Sequence, residues 1–238
     1  ENAKALTVVE PAIIFEGSPT YPKVEENHFD FKQVPVIDKI NLIKSLEAGL
    51  LKGEFVSQVQ TAQYQENESQ TVIVNSKGLN LKRTNAFAYA YAIGVFKKDE
   101  SDIQTAYDMK LVKSFDEFNV KEMVSNTLKI GQAKLGGKSI PTKSYPVIFD
   151  HDMFADILNV FSNIFSGEAA FRNMTPLKNK VGEKIMDPKI NLVNDPLDES
   201  AYVKYAFDDE GVASERRYVV EDGVFTGFNH NLKTAKIF

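Results

Sequence analysis

The densest set of ionisable side chains in the sequence is Asp208-Asp209-Glu210, followed at once by Gly211. Three carboxylates on one turn offer ligands for a hard cation or a general base. The same residues also serve the backbone of a turn, the commoner employment of Asp ahead of Gly, and EF-hand spacing is absent. Asp208, Asp209, Glu210 and Gly211 on their own therefore read as a solvated turn, with no catalytic and no metal-ligating residue assigned. The histidines His28, His151 and His230 stand in separate regions, none in a helical HExxH pair, and the chain has no cysteine. A catalytic zinc needs three protein ligands, so each histidine reads better as a surface or hydrogen-bonded structural residue. Asn194-Asp195-Pro196 reads as a second turn. No Gly-rich phosphate loop and no GxSxG elbow occurs. Arg216-Arg217 has the chemistry to clamp a carboxylate, but adjacent strand residues point to opposite faces, so at most one faces a given site.

Those side chains must be held by ordinary globular structure. The 238 residues are 43% hydrophobic and 26% charged, and the net charge is −5. Nucleic-acid surfaces rely on clustered Lys and Arg that release counterions, so a nucleic-acid partner is not expected. The longest apolar run, Ala86 to Phe96, is shorter than the roughly 20 residues of a bilayer span, and no membrane partner is expected. The lack of cysteine fits a reducing cytoplasm. The chain opens on Glu1 and reaches Phe238 without a closing element, as expected of a segment of a longer polypeptide.

The fold class expected is α+β, with an N-terminal domain of helix, antiparallel sheet and helix over residues 1–133, a linker at 134–146, and a mainly β C-terminal domain over 147–238. Glu1 to Pro35, with Pro11, Pro19, Pro22 and Pro35, reads as an extended lead-in. Val36, Ile40, Ile43, Leu46 and Leu50 recur at three- and four-residue steps, between Pro35 and Gly53, as in a helix over 36–52 with one buried face. Phe55 to Tyr64 and Gln70 to Val74 read as strands separated by a turn at Glu66-Asn67-Glu68-Ser69. Further strands are expected over 79–96 and 103–112, and short polar connections make the set antiparallel. Val120 to Leu135 restores the helical period, with Asn119 or Asp116 as cap and Gly136-Gly137 as stop. Lys134 to Pro146 concentrates Gly, Pro, Ser and Lys. Beyond it are expected a short strand at 147–149 and a helix capped by Asp150 or Asp152, whose apolar face is Phe154, Ile157, Leu158, Phe161 and Phe165. Strands and loops complete the chain. Tyr202 to Phe207 leads into the acidic turn, a second strand starts near Ser214, and Glu221-Asp222-Gly223 closes a hairpin onto Val224 to Phe228.

Five stretches carry a family resemblance: SGEAAFRN (166–173), KNKVGEKI (178–185), LVNDP (192–196), FDDEGVASERRYVVEDGVFTGF (207–228) and NLKTAKIF (231–238). In this order they resemble the TldD/PmbA family, named for modulation of DNA gyrase and associated with metallopeptidase activity. The resemblance covers residues 147–238 clearly and 55–135 more weakly, where VNSKG (74–78) is similar to the family's turn between strands. In the TldD branch, the helix at the position of Phe154 to Phe165 carries an HExxxH zinc motif; this chain has ADILNVFSNIF there, and no His between His151 and His230. The resemblance therefore implies the PmbA/TldE-like branch. It further implies a subunit without zinc ligands or cofactor of its own, whose partner is a zinc-bearing TldD-like subunit or a second copy, acting on unfolded or extended peptide substrates, with Asp208, Asp209, Glu210 and Gly211 shaping a groove or interface. Two alternatives stay open: an autonomous hydrolase using the carboxylates of Asp208 to Glu210, with or without a divalent cation, and a binding or scaffold protein outside proteolysis. An acidic chain is poorly suited to DNA, although gyrase itself presents a protein surface.

Overall fold

The computed structural model describes residues 13–238. The chain forms two compact units: one holds residues 25–71 and 83–143, and the other holds the described residues up to 24, the segment 72–82 and residues 144–238. The proline-rich lead-in has no helix or strand from residue 13 until a 3-10 turn at Phe31–Gln33, and Pro11 lies outside the described residues.

The sheet of the first unit contains β1 (Val56–Val74), β2 (Asn80–Asp99), β3 (Asp102–Ala106) and β4 (Lys110–Val112), flanked in sequence by α1 (Val36–Leu50) and α2 (Val120–Lys134). Its order is β1-β2-β3, with β4 also on β2, so β3 and β4 occupy successive stretches along the same neighbour. Both of those pairings are antiparallel, as the short connections require. Strand β2 alternates over residues 86–93. Ala86, Ala88, Ala90 and Ala92 are buried, and between them Phe87, Tyr89, Tyr91 and Ile93 form the opposite face. Alanines suit the first face because helices come close there: Leu42, Leu46 and Leu50 of α1 and Met123 of α2 share one core cluster with Ala90 and Ala92. Burying each leucine contributes about 1.5–3 kcal/mol. The stripe on α1 is Leu42, Leu46, Leu50 with Ile43 beside it, whereas Val36 and Ile40 stay exposed, so the buried face begins one turn later than the spacing suggested. Helix α2 starts where predicted, Asn119 accepting from the Glu122 N–H, and it ends at Lys134 ahead of Gly136 at φ +76°.

The expected turn at Glu66-Asn67-Glu68-Ser69 does not form, and β1 runs through it without interruption. Its carboxylates are matched from a neighbouring segment: Lys39 Nζ lies 2.6 Å from Glu66 Oε2 and Lys32 Nζ lies 2.6 Å from Glu68 Oε2. The hairpin instead closes over Asn75 to Leu79, where the Asn75 side chain accepts from the Lys77 and Leu79 N–H groups and Gly78 takes φ +90°.

The second unit carries α3 (His151–Phe161), a 3-10 turn (Ser162–Phe165), α4 (Gly167–Phe171), a sheet of β5 (Leu192–Asn194), β6 (Arg217–Glu221) and β7 (Val224–Phe225) in that order, and α5 (Leu232–Ile237). The whole is α+β, as expected. Asp150 caps α3, accepting from the Met153 N–H at 2.8 Å. The predicted apolar face of α3 finds little cover: Met153, Phe154, Val160 and Phe161 are exposed, and only Phe165, in the following turn, is buried. Val147 to Phe149 forms no strand, and Ile148 is 98% exposed; without a neighbouring strand its polar backbone groups face water instead of a ladder. Two short helices, α4 and α5, replace expected loops. Each begins at a local cap, the hydroxyl of Ser166 for α4 and a capping box of Asn231 and Thr234 for α5. The hairpin forms as its sequence dictates, with Asp222 at φ 48° and Gly223 at φ 78°. At Gly223 a side chain would meet Met186 O at 2.5 Å. The core here is Phe165, Ala170, Leu177, Val219, Val220, Phe225 and Phe228. Among the described residues no helix is long and apolar enough to cross a membrane.

Candidate functional site

Phe207 and Ala213 form an isolated antiparallel bridge that pinches off the acidic loop; it is the only part of Tyr202 to Phe207 that takes up strand pairing. Within the loop the carboxylates serve the backbone. Asp208 Oδ1 accepts from the N–H groups of Glu210 and Val212, both at 2.9 Å, while Glu210 Oε2 accepts from the Leu232 N–H at 2.7 Å, at the first residue of α5. Asp209 is exposed. Gly211 holds φ +88°, and its carbonyl accepts from the Tyr21 hydroxyl at 2.9 Å. A side chain at Gly211 would meet Leu79 Cδ2 at 2.7 Å. These contacts make the loop a fixed wall rather than a loose acidic finger.

Asp208 also borders a polar groove of about 180 Å³, whose other walls come from the extended run into β6, the end of β5 and the segment after β7. Glu215 and Arg217 stand two residues apart and both line it, whereas Arg216 turns away to Asp195 at 3.2 Å and to the Tyr218 ring. Arg217 is anchored by donating to the Gly227 carbonyl at 3.2 Å. The opposite wall is Asn229 and His230. Asn229 is fixed through its backbone, its N–H on Phe165 O at 2.8 Å and its carbonyl on the Gly167 N–H at 2.7 Å. His230 Nδ1 sits 3.1 Å from Thr234 Oγ1. Partial burial and then the Arg217 charge hold its pKa below the ordinary value, so the ring is neutral at pH 7. The groove thus gathers one acidic-loop residue, Asp208, with Glu215, Arg217, Asn229 and His230 from two further segments. Glu215 went unremarked in the sequence; its signal is the two-residue spacing to Arg217, on the run that leads into β6.

The histidines do not converge. His28 and His151 pair only with the neighbouring acids Glu26 and Asp152, at 3.6 and 3.4 Å. Among the described residues no group of three or more His, Asp and Glu side chains is placed to hold a metal ion. Helix α3 offers His151, Asp152 and Asp156, and its first two are almost fully exposed, a donor set that does not fit a zinc centre.

A crystal structure of a candidate modulator of a DNA gyrase from Thermotoga maritima superposes with a TM-score of 0.89 at 27% identity, over 96% of this chain and 53% of that one. TldE from Thermococcus kodakarensis shares the fold, with a TM-score of 0.77 at 23% identity over 99% of this chain and 53% of its own. A metalloprotease PmbA homologue of Buchnera aphidicola is 25% identical over 166 residues, 69% of this chain and 37% of the relative. The chain thus spans about half the length, or less, of these relatives. Residues 29–135 match the central domain, and residues 142–238 the C-terminal domain, of the PmbA/TldA metallopeptidases, in that order: the chain belongs to the TldD/PmbA family.

Proposed function

We propose that this chain acts as a PmbA/TldE-like subunit of a TldD/PmbA-type metallopeptidase system, contributing to peptide handling while a TldD-like partner supplies the zinc. The observation that carries this reading is the helix α3 itself. By the family resemblance it stands where the TldD branch carries HExxxH, yet its histidine is His151 at the first helical position, and it has no second one. The exposed apolar residues of α3 suit a subunit that meets a partner. In this reading Asp208, Asp209, Glu210 and Gly211 shape a groove wall or interface in the cytoplasmic assembly rather than cut a bond.

The autonomous-hydrolase alternative needs the acidic loop to supply a base or cation ligands. Asp208 and Glu210 already spend carboxylate oxygens on backbone N–H groups, which supports the structural role instead. The test uses the full-length protein, alone and mixed with a family member carrying HExxxH. Expected are no stoichiometric zinc in the protein alone, copurification with the HExxxH-bearing member, and cleavage of an unfolded polypeptide by the mixture only. Tightly held zinc at one ion per chain, or cleavage by the protein alone, overturns the proposal.

A further inference from the structure

The groove between the acidic loop and the 229–230 segment holds opposite charges that do not satisfy one another. Glu215 makes no hydrogen bond or ion pair among the described residues, and Arg217 uses one guanidinium nitrogen on the Gly227 carbonyl. Both line the groove. Glu215 lies two residues ahead of Arg217, the first residue of β6, so a small ligand lying between the two heads meets a carboxylate at one end and a guanidinium at the other. The rim adds the Asp208 carboxylate on the anionic side and the Asn229 and His230 side chains as neutral hydrogen-bonding groups. Their anchoring is independent of any ligand: the Asp208 loop by its own N–H donors, Asn229 by two backbone hydrogen bonds, His230 by Thr234. Such a site binds without first having to order its walls.

The charge pattern selects among ligand classes. A free phosphate or sulfate meets Arg217 but also Glu215 and Asp208, whose carboxylates repel it. A divalent cation meets the two carboxylates but also the guanidinium, and the ligand set falls short of a metal cluster. A molecule that carries an ammonium and a carboxylate within a few ångströms satisfies both ends. About 180 Å³ admits something the size of one or two small residues.

We infer that the groove formed by Asp208, Glu215, Arg217, Asn229 and His230 binds a zwitterion of amino-acid or dipeptide size, its ammonium on the Glu215 side and its carboxylate on Arg217. This deepens the peptide reading, on which it rests only for the source of the ligand: such zwitterions are what peptide hydrolysis releases. The recognition is electrostatic at a partly open site, so it weakens as salt is raised.

The test is NMR titration of the full chain with four probes: L-alanine, L-alanyl-L-alanine, N-acetyl-L-alanine and L-alaninamide. Shifts at Glu215, Arg217, Asn229 and His230 are expected with alanine, with dialanine, or with both, and which of the two binds tighter decides between a free amino acid and a dipeptide. The capped compounds, each lacking one charge, are expected to bind at least about tenfold more weakly, the cost of losing one charged hydrogen bond. Glu215→Gln, at an exposed position, is expected to weaken the zwitterions by a similar factor and to shrink the gap between alanine and N-acetyl-L-alanine, which has no ammonium, while leaving the gap between alanine and alaninamide unchanged. Capped and uncapped probes binding alike, or no shift at the groove from either zwitterion, overturns the inference. Neither result bears on cleavage by the mixed assembly, so the peptidase reading stands or falls separately.

Discussion

Two short acidic stretches of four residues, Glu66-Asn67-Glu68-Ser69 and Asp208-Asp209-Glu210-Gly211, are both rich in turn-forming and carboxylate residues and have opposite structures. The first is mid-strand and keeps its carboxylates on lysine side chains from the 32–39 segment. The second is a closed loop that keeps its carboxylates on backbone N–H groups. What separates them is the residue at the end and the neighbours beyond. Gly211 accepts φ +88°, which an L side chain resists, whereas Ser69 leads straight into β-branched Thr71, Val72, Ile73 and Val74. Acidic clusters therefore indicate a turn only where the chain can also reverse; elsewhere a matched lysine makes them a strand edge.

The largest expected effect tests the glycine. Gly211→Ala places a methyl group 2.7 Å from Leu79 Cδ2, and Leu79 is itself buried and unable to move far. Backbone strain and overpacking together are expected to cost about 3 kcal/mol. Urea denaturation with an unchanged slope and a lower midpoint is the predicted result. A loss under about 0.5 kcal/mol would mean the loop tolerates a side chain, and that glycine is not what distinguishes the two stretches.

The converse substitution sharpens the same point. Were 66–69 a turn, Asn67→Gly would be neutral or helpful; inside β1 it is expected to destabilise by about 0.5–1 kcal/mol, through the entropy that glycine loses on entering a strand. Chemical denaturation of the variant beside the parent chain decides between them.

Local signals explain which parts of this fold the sequence announces. Asn119 and Asp150 as caps, Asp222-Gly223 as a hairpin turn, and the strand expected over 79–96 are each decided within a few residues, and each stands where it is expected. The failures depend on distant partners. The run 66–69 continues β1 beside β2, with Lys32 and Lys39 matching its carboxylates from about thirty residues away, and nothing local reveals that. Val147 to Phe149 has strand-like residues but no strand to pair with. Helix α3 has its predicted period and lacks the cover that periodicity implies, because a pattern specifies a face and not what lies against it. The groove was half legible: Asp208 stood out as part of a cluster, and Arg217 as one of two arginines of which only one faces a site. Glu215 and His230 enter only when β6 and the segment after β7 are folded together.

The smallest effect concerns how Glu66 is held. Partial burial opposes its ionisation, yet hydrogen bonds from Lys39 and the Tyr64 hydroxyl and the Lys39 charge outweigh that, leaving its pKa below the ordinary value of 4.5. Tyr64 is raised above 10.0, first by burial and then by donating to Glu66 at 2.8 Å. A carboxylate whose folded pKa is lowered contributes stability that is present above pH 4.5 and is lost as pH falls through the folded value. With the Glu66 side chain 31% exposed, solvent screening keeps this small, about 0.5 kcal/mol at neutral pH. Glu66→Gln should therefore unfold slightly earlier than the parent chain at pH 7, and the gap should close in acid. The raised Tyr64 works in the opposite direction on the alkaline side: its contribution is present below pH 10.0 and is lost as pH rises toward its folded value, in parent and variant alike because burial is the larger cause. Thermal melts of both chains across this range separate the two arms. A gap that persists unchanged at pH 3 would show that Glu66 stabilises β1 through packing rather than charge, and the contrast with the backbone-capping carboxylates of the 208–211 loop would then have to be drawn on geometry alone.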